Sequence, residues 1–279
     1  MNRKIRAALI VLLAVVFVGS LVMFLRQIIQ YREAAETYDE AKTLAELPDL
    51  SQIPLPKEEP ETPPAVEEAP ADELPADEEP EKPVYVDPYA DALRNMDFEA
   101  LREVNSDVLG WIVIPGTAIS YPLVQGEDNQ YYLKHTWKKW ASAVGAIFLE
   151  CRNSADLSDF NTIIYGHRMN NGSMFASLKY YKKQSYWAQH PYVYITDSNG
   201  SYKYEIFAAY EVSTIGSAYQ IGFSGDESKQ AFLDDCIGQS VIETGVTPTV
   251  QDRILTLSTC TGNGHATRWV VQARLPAGE

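Results

Sequence analysis

Residues 253–275 read RILTLSTCTGNGHATRWVVQARL. The first run, Arg253 to Thr259, is apolar and β-branched and closes on Cys260. A polar, glycine-containing loop follows (Thr261-Gly262-Asn263-Gly264), and a second β-rich run opens at Arg268. A thiol at a strand end beside a loop is where a β-scaffold presents chemistry. If the two runs pair, the Arg268 guanidinium stands beside the Cys260 thiol, permanently charged and with donors suited to an oxyanion.

The rest of the C-terminal two thirds has the same texture. Short β-rich runs lie at 111–114, 146–150, 162–165, 192–196 and 202–212. Asn199-Gly200 between two of them signals a hairpin. One helix interrupts the series. Asp226 is its expected N-cap, with Phe232, Leu233, Cys236 and Ile237 on one face. Upstream, Asp87-Pro88 and Asp97 predict the starts of two short helices, the second reaching about Asn105. Many short strands and few helices predict a mostly β domain closed, or nearly closed, into a barrel over residues 84–279.

The N-terminal third differs. Residues 7–25 carry no charge, and Arg3, Lys4 and Arg6 precede them. At 1.5 Å per residue the run covers ~28 Å, close to the thickness of a bilayer's hydrocarbon core. The expectation is a single membrane anchor after a cytoplasmic tail (1–6), with everything downstream on the outer side. A cleaved signal peptide is the alternative. Residues 26–47 read as a helix continuing outward until Pro48. Residues 48–83, rich in Pro, Glu and Ala, read as a disordered stalk without core contacts.

Charge follows this division. The whole chain has a net charge of −15, of which residues 57–82 contribute −9, with 11 acids against 2 bases. A chain of this sign offers nothing to neutralise phosphates, so nucleic acid is not an expected partner. With 46% hydrophobic residues and a rich supply of aromatics, the chain as a whole is not disordered.

Of the other two cysteines, Cys236 lies on the apolar helix face and Cys151 ends a β-rich run. Both read as buried small hydrophobes, a Cys151–Cys236 disulfide being the alternative. Of the four histidines, His167 leaves a strand through Gly166 and can exchange a proton with a thiol across a barrel rim. His265 is the rival base, while His135 and His190 read as structural. Read from spacing, this is a Cys/His/Arg constellation on a β-barrel.

The motif Thr256-Leu257-Ser258-Thr259-Cys260, the downstream Arg268 and the upstream Tyr165-Gly166-His167 resemble the sortase transpeptidases. The segments 110–117, 121–125, 145–148 and 161–169, Asp128-Asn129 and Gly172-Ser173-Met174-Phe175 resemble class B. So does the helix before the cysteine run. The resemblance covers residues 88–276 and implies an eight-stranded sortase barrel with N-terminal helices. It implies that Cys260 attacks the carbonyl after Thr in a sorting signal of surface proteins. A cell-wall precursor or pilin amine then resolves the thioacyl-enzyme. His167 would be the acid and base, Arg268 the oxyanion or substrate holder, and the Thr261 N–H a second oxyanion donor. Asn161, Tyr165 and Ser258 would line the pocket. Neither cofactor nor metal is implied, and a monomer is expected. A cysteine peptidase and a non-enzymatic surface binding module are the competing readings.

Overall fold

The computed structural model describes residues 3–56, 87–262, 264 and 266–278. Most of the expected stalk, and His265 with it, lies outside the described residues. Eight strands form a closed barrel: β1 (Val108–Val113), β2 (Ser120–Gln125), β3 (Ile147–Leu149), β4 (Asn161–Tyr165), β5 (Tyr192–Thr196), β6 (Ser201–Ser213), β7 (Arg253–Cys260) and β8 (Thr267–Leu275). Around the barrel they run β1-β2-β3-β4-β7-β8-β6-β5. The pairs β2/β3 and β4/β7 are parallel and the others antiparallel.

The expected runs are strands to within a few residues. β2 is an added strand, and it holds Pro122 opposite Trp111. A proline counts against an interior strand because it gives no N–H to the ladder. The β5–β6 hairpin is the one expected at Asn199-Gly200. There Asp197 Oδ1 accepts from the N–H groups of both residues.

Among the described residues five α-helices accompany the barrel: α1 (Arg3–Leu44), α2 (Pro88–Leu93), α3 (Phe98–Val104), α4 (Gln184–Gln189) and α5 (Asp226–Gln239). Asp87 and Asp97 cap α2 and α3 as expected, accepting from the backbone at 2.8 and 3.0 Å. α5 departs from expectation at two points. Its N-cap is Gly225, so Asp226 is already helical and faces Lys229 at 3.7 Å. Ile237 is exposed, and only Phe232, Leu233 and Cys236 pack inward. They join Phe207, Tyr210, Ile254 and Val270 in a second core outside the barrel.

α1 is one unbroken helix, ~63 Å long at 1.5 Å per residue, and its first half is apolar and long enough to cross a membrane. It ends before Pro48. Glu46 takes a positive φ of 50° and the Leu47 N–H returns to the Lys42 carbonyl at 3.0 Å, closing the last turn. Its second half docks on the barrel. Ala34, Tyr38 and Ala41, with Ala45 just past its end, are buried in the main core. Leu50 and Ile53 also pack against it, so the expectation of no core contact from residue 48 onward is corrected in its first residues.

Candidate active site

β4 and β7 run side by side in the same direction, with Tyr165 in register with Ser258. Two residues beyond them stand His167, just past the end of β4, and Cys260, the last residue of β7. Parallel pairing therefore brings both to one barrel rim, although 93 residues separate them in sequence. Gly166 makes the turn possible. Its N–H donates to the Ser258 carbonyl at 3.2 Å and its own carbonyl accepts from Thr259 Oγ1 at 2.8 Å. A Cβ on Gly166 would lie 2.4 Å from Ile147 Cδ1 and 2.7 Å from the Phe175 ring. Antiparallel pairing of β7 with β8 then sets Arg268 directly opposite Cys260.

The three residues are electrostatically coupled. The interaction between the His167 imidazole and the Cys260 thiol is the largest influence on the pKa of each. It lowers the thiol pKa and raises that of the imidazole. Burial opposes both changes, since it disfavours either charge. Arg268 lowers the thiol further, and Arg168 adds to the effect. The Leu133 carbonyl accepts from His167 Nε2 at 2.8 Å. A carbonyl only accepts, so Nε2 keeps its proton and the exchangeable proton belongs to the other ring nitrogen.

Beside this rim opens a cavity of about 370 Å³, whose walls include Leu133, Tyr165, Tyr219, Ser258 and Arg268. Tyr165 stacks on Tyr219 at 6.3 Å, and Tyr219 Oη meets Ser258 Oγ at 2.8 Å. Behind Tyr165 lies Glu150, 1% exposed. Tyr165 Oη, Asn129 Nδ2 and Arg152 Nε donate to its carboxylate at 2.8, 2.7 and 2.7 Å. Burial alone would raise the Glu150 pKa; the three donors outweigh it and hold it at about 2. Burial and the same carboxylate push the Tyr165 phenol far up, so it remains a donor.

Sequence reasoning passed over Glu150, Arg152 and Tyr219. Only the Glu-x-Arg spacing at a strand end hinted at the first two. Asn161 is a correction. It is buried at the far end of β4 from Tyr165, donating to the carbonyls of Ala218 and Gln220 and accepting from Thr256 Oγ1. Its amide nitrogen ties β4 to the segment after β6 and its amide oxygen ties β4 to β7, and it is not among the residues lining the cavity. Thr261 is buried, with its hydroxyl 3.2 Å from Thr267 Oγ1 and its carbonyl accepting from Arg168.

The other thiols stand apart from this rim, and all three cysteines are free. Cys236 is buried as expected, and burial raises its pKa to about 11. Cys151 is half-exposed rather than buried, because its N–H is spent on Asn129 Oδ1 and its side chain faces outward beside Glu150. His135 stacks on Tyr131 and His190 bonds the Pro115 carbonyl.

The sortase-domain family model matches residues 112–276, which include every element of this rim. The chain belongs to the sortase family. Sortase B of Staphylococcus aureus is 38% identical over 163 residues, covering 58% of this chain and 67% of that protein. Sortase B of Listeria monocytogenes is 39% identical over 160 residues, 57% of this chain and 65% of that protein, so this sortase spans just under two thirds of the latter. The solved S. aureus sortase B–substrate complex superposes with a TM-score of 0.62 at 36% identity. The overlap covers 65% of this chain and 85% of that one. These relatives place this sortase in class B, whose members are transpeptidases that anchor surface proteins.

Proposed function

We propose that this sortase is held in the cell membrane by the first half of α1 and acts on the outer side. There it cleaves a sorting signal after Thr and passes the acyl group to a cell-wall amine. One observation carries the reading: a thiol paired with an imidazole at one barrel rim, opposite a guanidinium and beside an open cleft of about 370 Å³. The S. aureus sortase B–substrate complex supports a peptide partner of the sorting-signal class.

The chemistry follows from the charges. A free thiol and a free imidazole titrate near ~8.5 and ~6.5, so both are largely neutral at pH 7 unless coupled. Their interaction raises the imidazole and lowers the thiol, which favours thiolate with imidazolium, the pair competent for attack. The Cys260 thiolate adds to the carbonyl carbon after Thr. Arg268 and the Thr261 N–H hold the oxyanion. The C–N bond then breaks as the imidazolium gives its proton to the leaving amine, and a thioester remains. The incoming amine adds to that thioester, His167 takes its proton, and the C–S bond breaks to restore the thiolate. Tyr165 and Ser258 offer hydroxyls to the Thr side chain.

The test is a panel of Pro-X-Thr-Gly and Asn-Pro-X-Thr-Asn peptides, with and without hydroxylamine or oligoglycine. Cleavage should fall between Thr and the next residue, with the amine carried into the product. Replacing Thr by Val should cut poorly, because one lost hydroxyl leaves a pocket group unpaired. Water as sole acceptor at millimolar amine would make the protein a peptidase instead.

A further inference from the structure

The docked half of α1 lies against β2, α3 and the segment that leads into β3. Ala34, Tyr38, Ala41 and Ala45, at helical spacing, are at most 5% exposed. Three contacts fix the docking. Tyr38 Oη donates to the Gly145 carbonyl at 2.5 Å, Trp137 Nε1 donates to the Thr37 carbonyl at 2.8 Å, and Lys138 meets Glu40 at 2.8 Å.

Gly145 faces both ways. It has a φ of +65°, and a Cβ there would stand 2.9 Å from His167 Cδ2 and 3.0 Å from the Leu133 carbonyl oxygen. That oxygen is the acceptor for His167 Nε2. The backbone that Tyr38 grips is therefore in contact with the imidazole and with its hydrogen-bond partner. A second route joins the same two residues. The Tyr38 ring meets Tyr121 edge-on at 5.2 Å, and Tyr121 Oη accepts the Met174 N–H at 2.9 Å. The neighbouring Phe175 N–H donates to the His167 carbonyl at 2.9 Å.

We propose that the docked half of α1 is a positioning element for His167, with Tyr38 acting through Gly145. The proposal rests on the acid–base reading of His167 given above. It makes the segment that enters the membrane and the segment that seats the histidine a single helix. How α1 sits on the barrel then sets the tilt of the imidazole toward Cys260.

The experiment uses the full chain in detergent micelles or nanodiscs. Tyr38→Phe keeps the ring on Tyr121 and removes only the bond to Gly145. The expected result is a fall in kcat of about tenfold, short of the ~100-fold that a 1 Å misplacement costs, with KM within about twofold. The Leu133 bond raises the His167 pKa, so loosening it should make the imidazole, followed by NMR, titrate at lower pH. Glu40→Gln weakens docking without touching Gly145 and should keep kcat. Parental kcat and imidazole titration in Tyr38→Phe, with His167→Ala inactive, would overturn the proposal. So would an equal kcat loss in Tyr38→Phe and Glu40→Gln, which would make α1 a fold element only. Full activity in His167→Ala would instead sink the acid–base reading, and the proposal with it.

Discussion

Cys260 is lowered by His167 and by Arg268, while His167 is raised by Cys260 and lowered by Arg268. Removing the guanidinium takes an attraction from the thiolate and a repulsion from the imidazolium, so both groups should titrate at higher pH. Arg268→Met is therefore expected to shift the whole bell-shaped profile of kcat/KM to higher pH, which a pH series of turnover reads directly. Arg268→Lys keeps a charge but loses the planar fork, and turnover should fall at least ~10-fold. Glu150 makes a separate statement about stability. Its folded pKa of about 2 lies below the ordinary value of 4.5. It therefore adds stability that is full above ~4.5 and is lost as pH falls toward 2, about 3 kcal/mol by linkage. Chemical denaturation between pH 2 and 7 should show this slope in the parent and a flatter one in Glu150→Gln.

At the scale of elements, the site exists because β4 and β7 are parallel neighbours ending at one rim. Gly166 permits that ending. Gly166→Ala would push Cβ into Ile147 and Phe175, and it is expected to cost roughly 1–3 kcal/mol and most of the turnover. Paired melting and kinetic measurements check both. Cys260 and Arg268 were legible in the sequence because a hairpin is local: one run ends and the next begins within eight residues. His167 was legible as a strand-end histidine, but its meeting with Cys260 depends on a parallel pairing that crosses more than eighty residues, which periodicity does not report. β2 escaped because Pro122 masks its strand character. The Glu150 cluster escaped because two of its three donors, Asn129 and Tyr165, lie 21 and 15 residues away along the chain. Asn161 misled because a polar residue one strand-length from the rim is equally suited to bonding buried backbone.

On the scale of the whole molecule, both ends of the acidic Pro/Glu segment join parts that pack on the barrel: Leu50 and Ile53 before it, Tyr89 and Leu93 after it. The acidic segment thus connects two stretches that both pack on the barrel, and α1 joins the barrel to an apolar stretch long enough to cross a membrane. Replacing residues 57–86 by a Gly/Ser linker of half the length should leave kcat within about twofold. A chain starting at residue 87 lacks Tyr38 and uncovers Trp137, which is fully buried in the intact protein. It should lose several kcal/mol and melt roughly 10 °C or more below a chain starting at residue 27. The account as a whole depends on a covalent intermediate at one thiol, and intact-mass spectrometry with peptide mapping tests this most directly. After incubation with a cleavable signal peptide, the mass should rise by that of the acyl fragment ending in Thr. The adduct should map to Cys260, vanish on addition of an amine, and be missing from Cys260→Ala. An adduct on Cys151 or Cys236, or cleavage that persists in Cys260→Ala, would contradict the account.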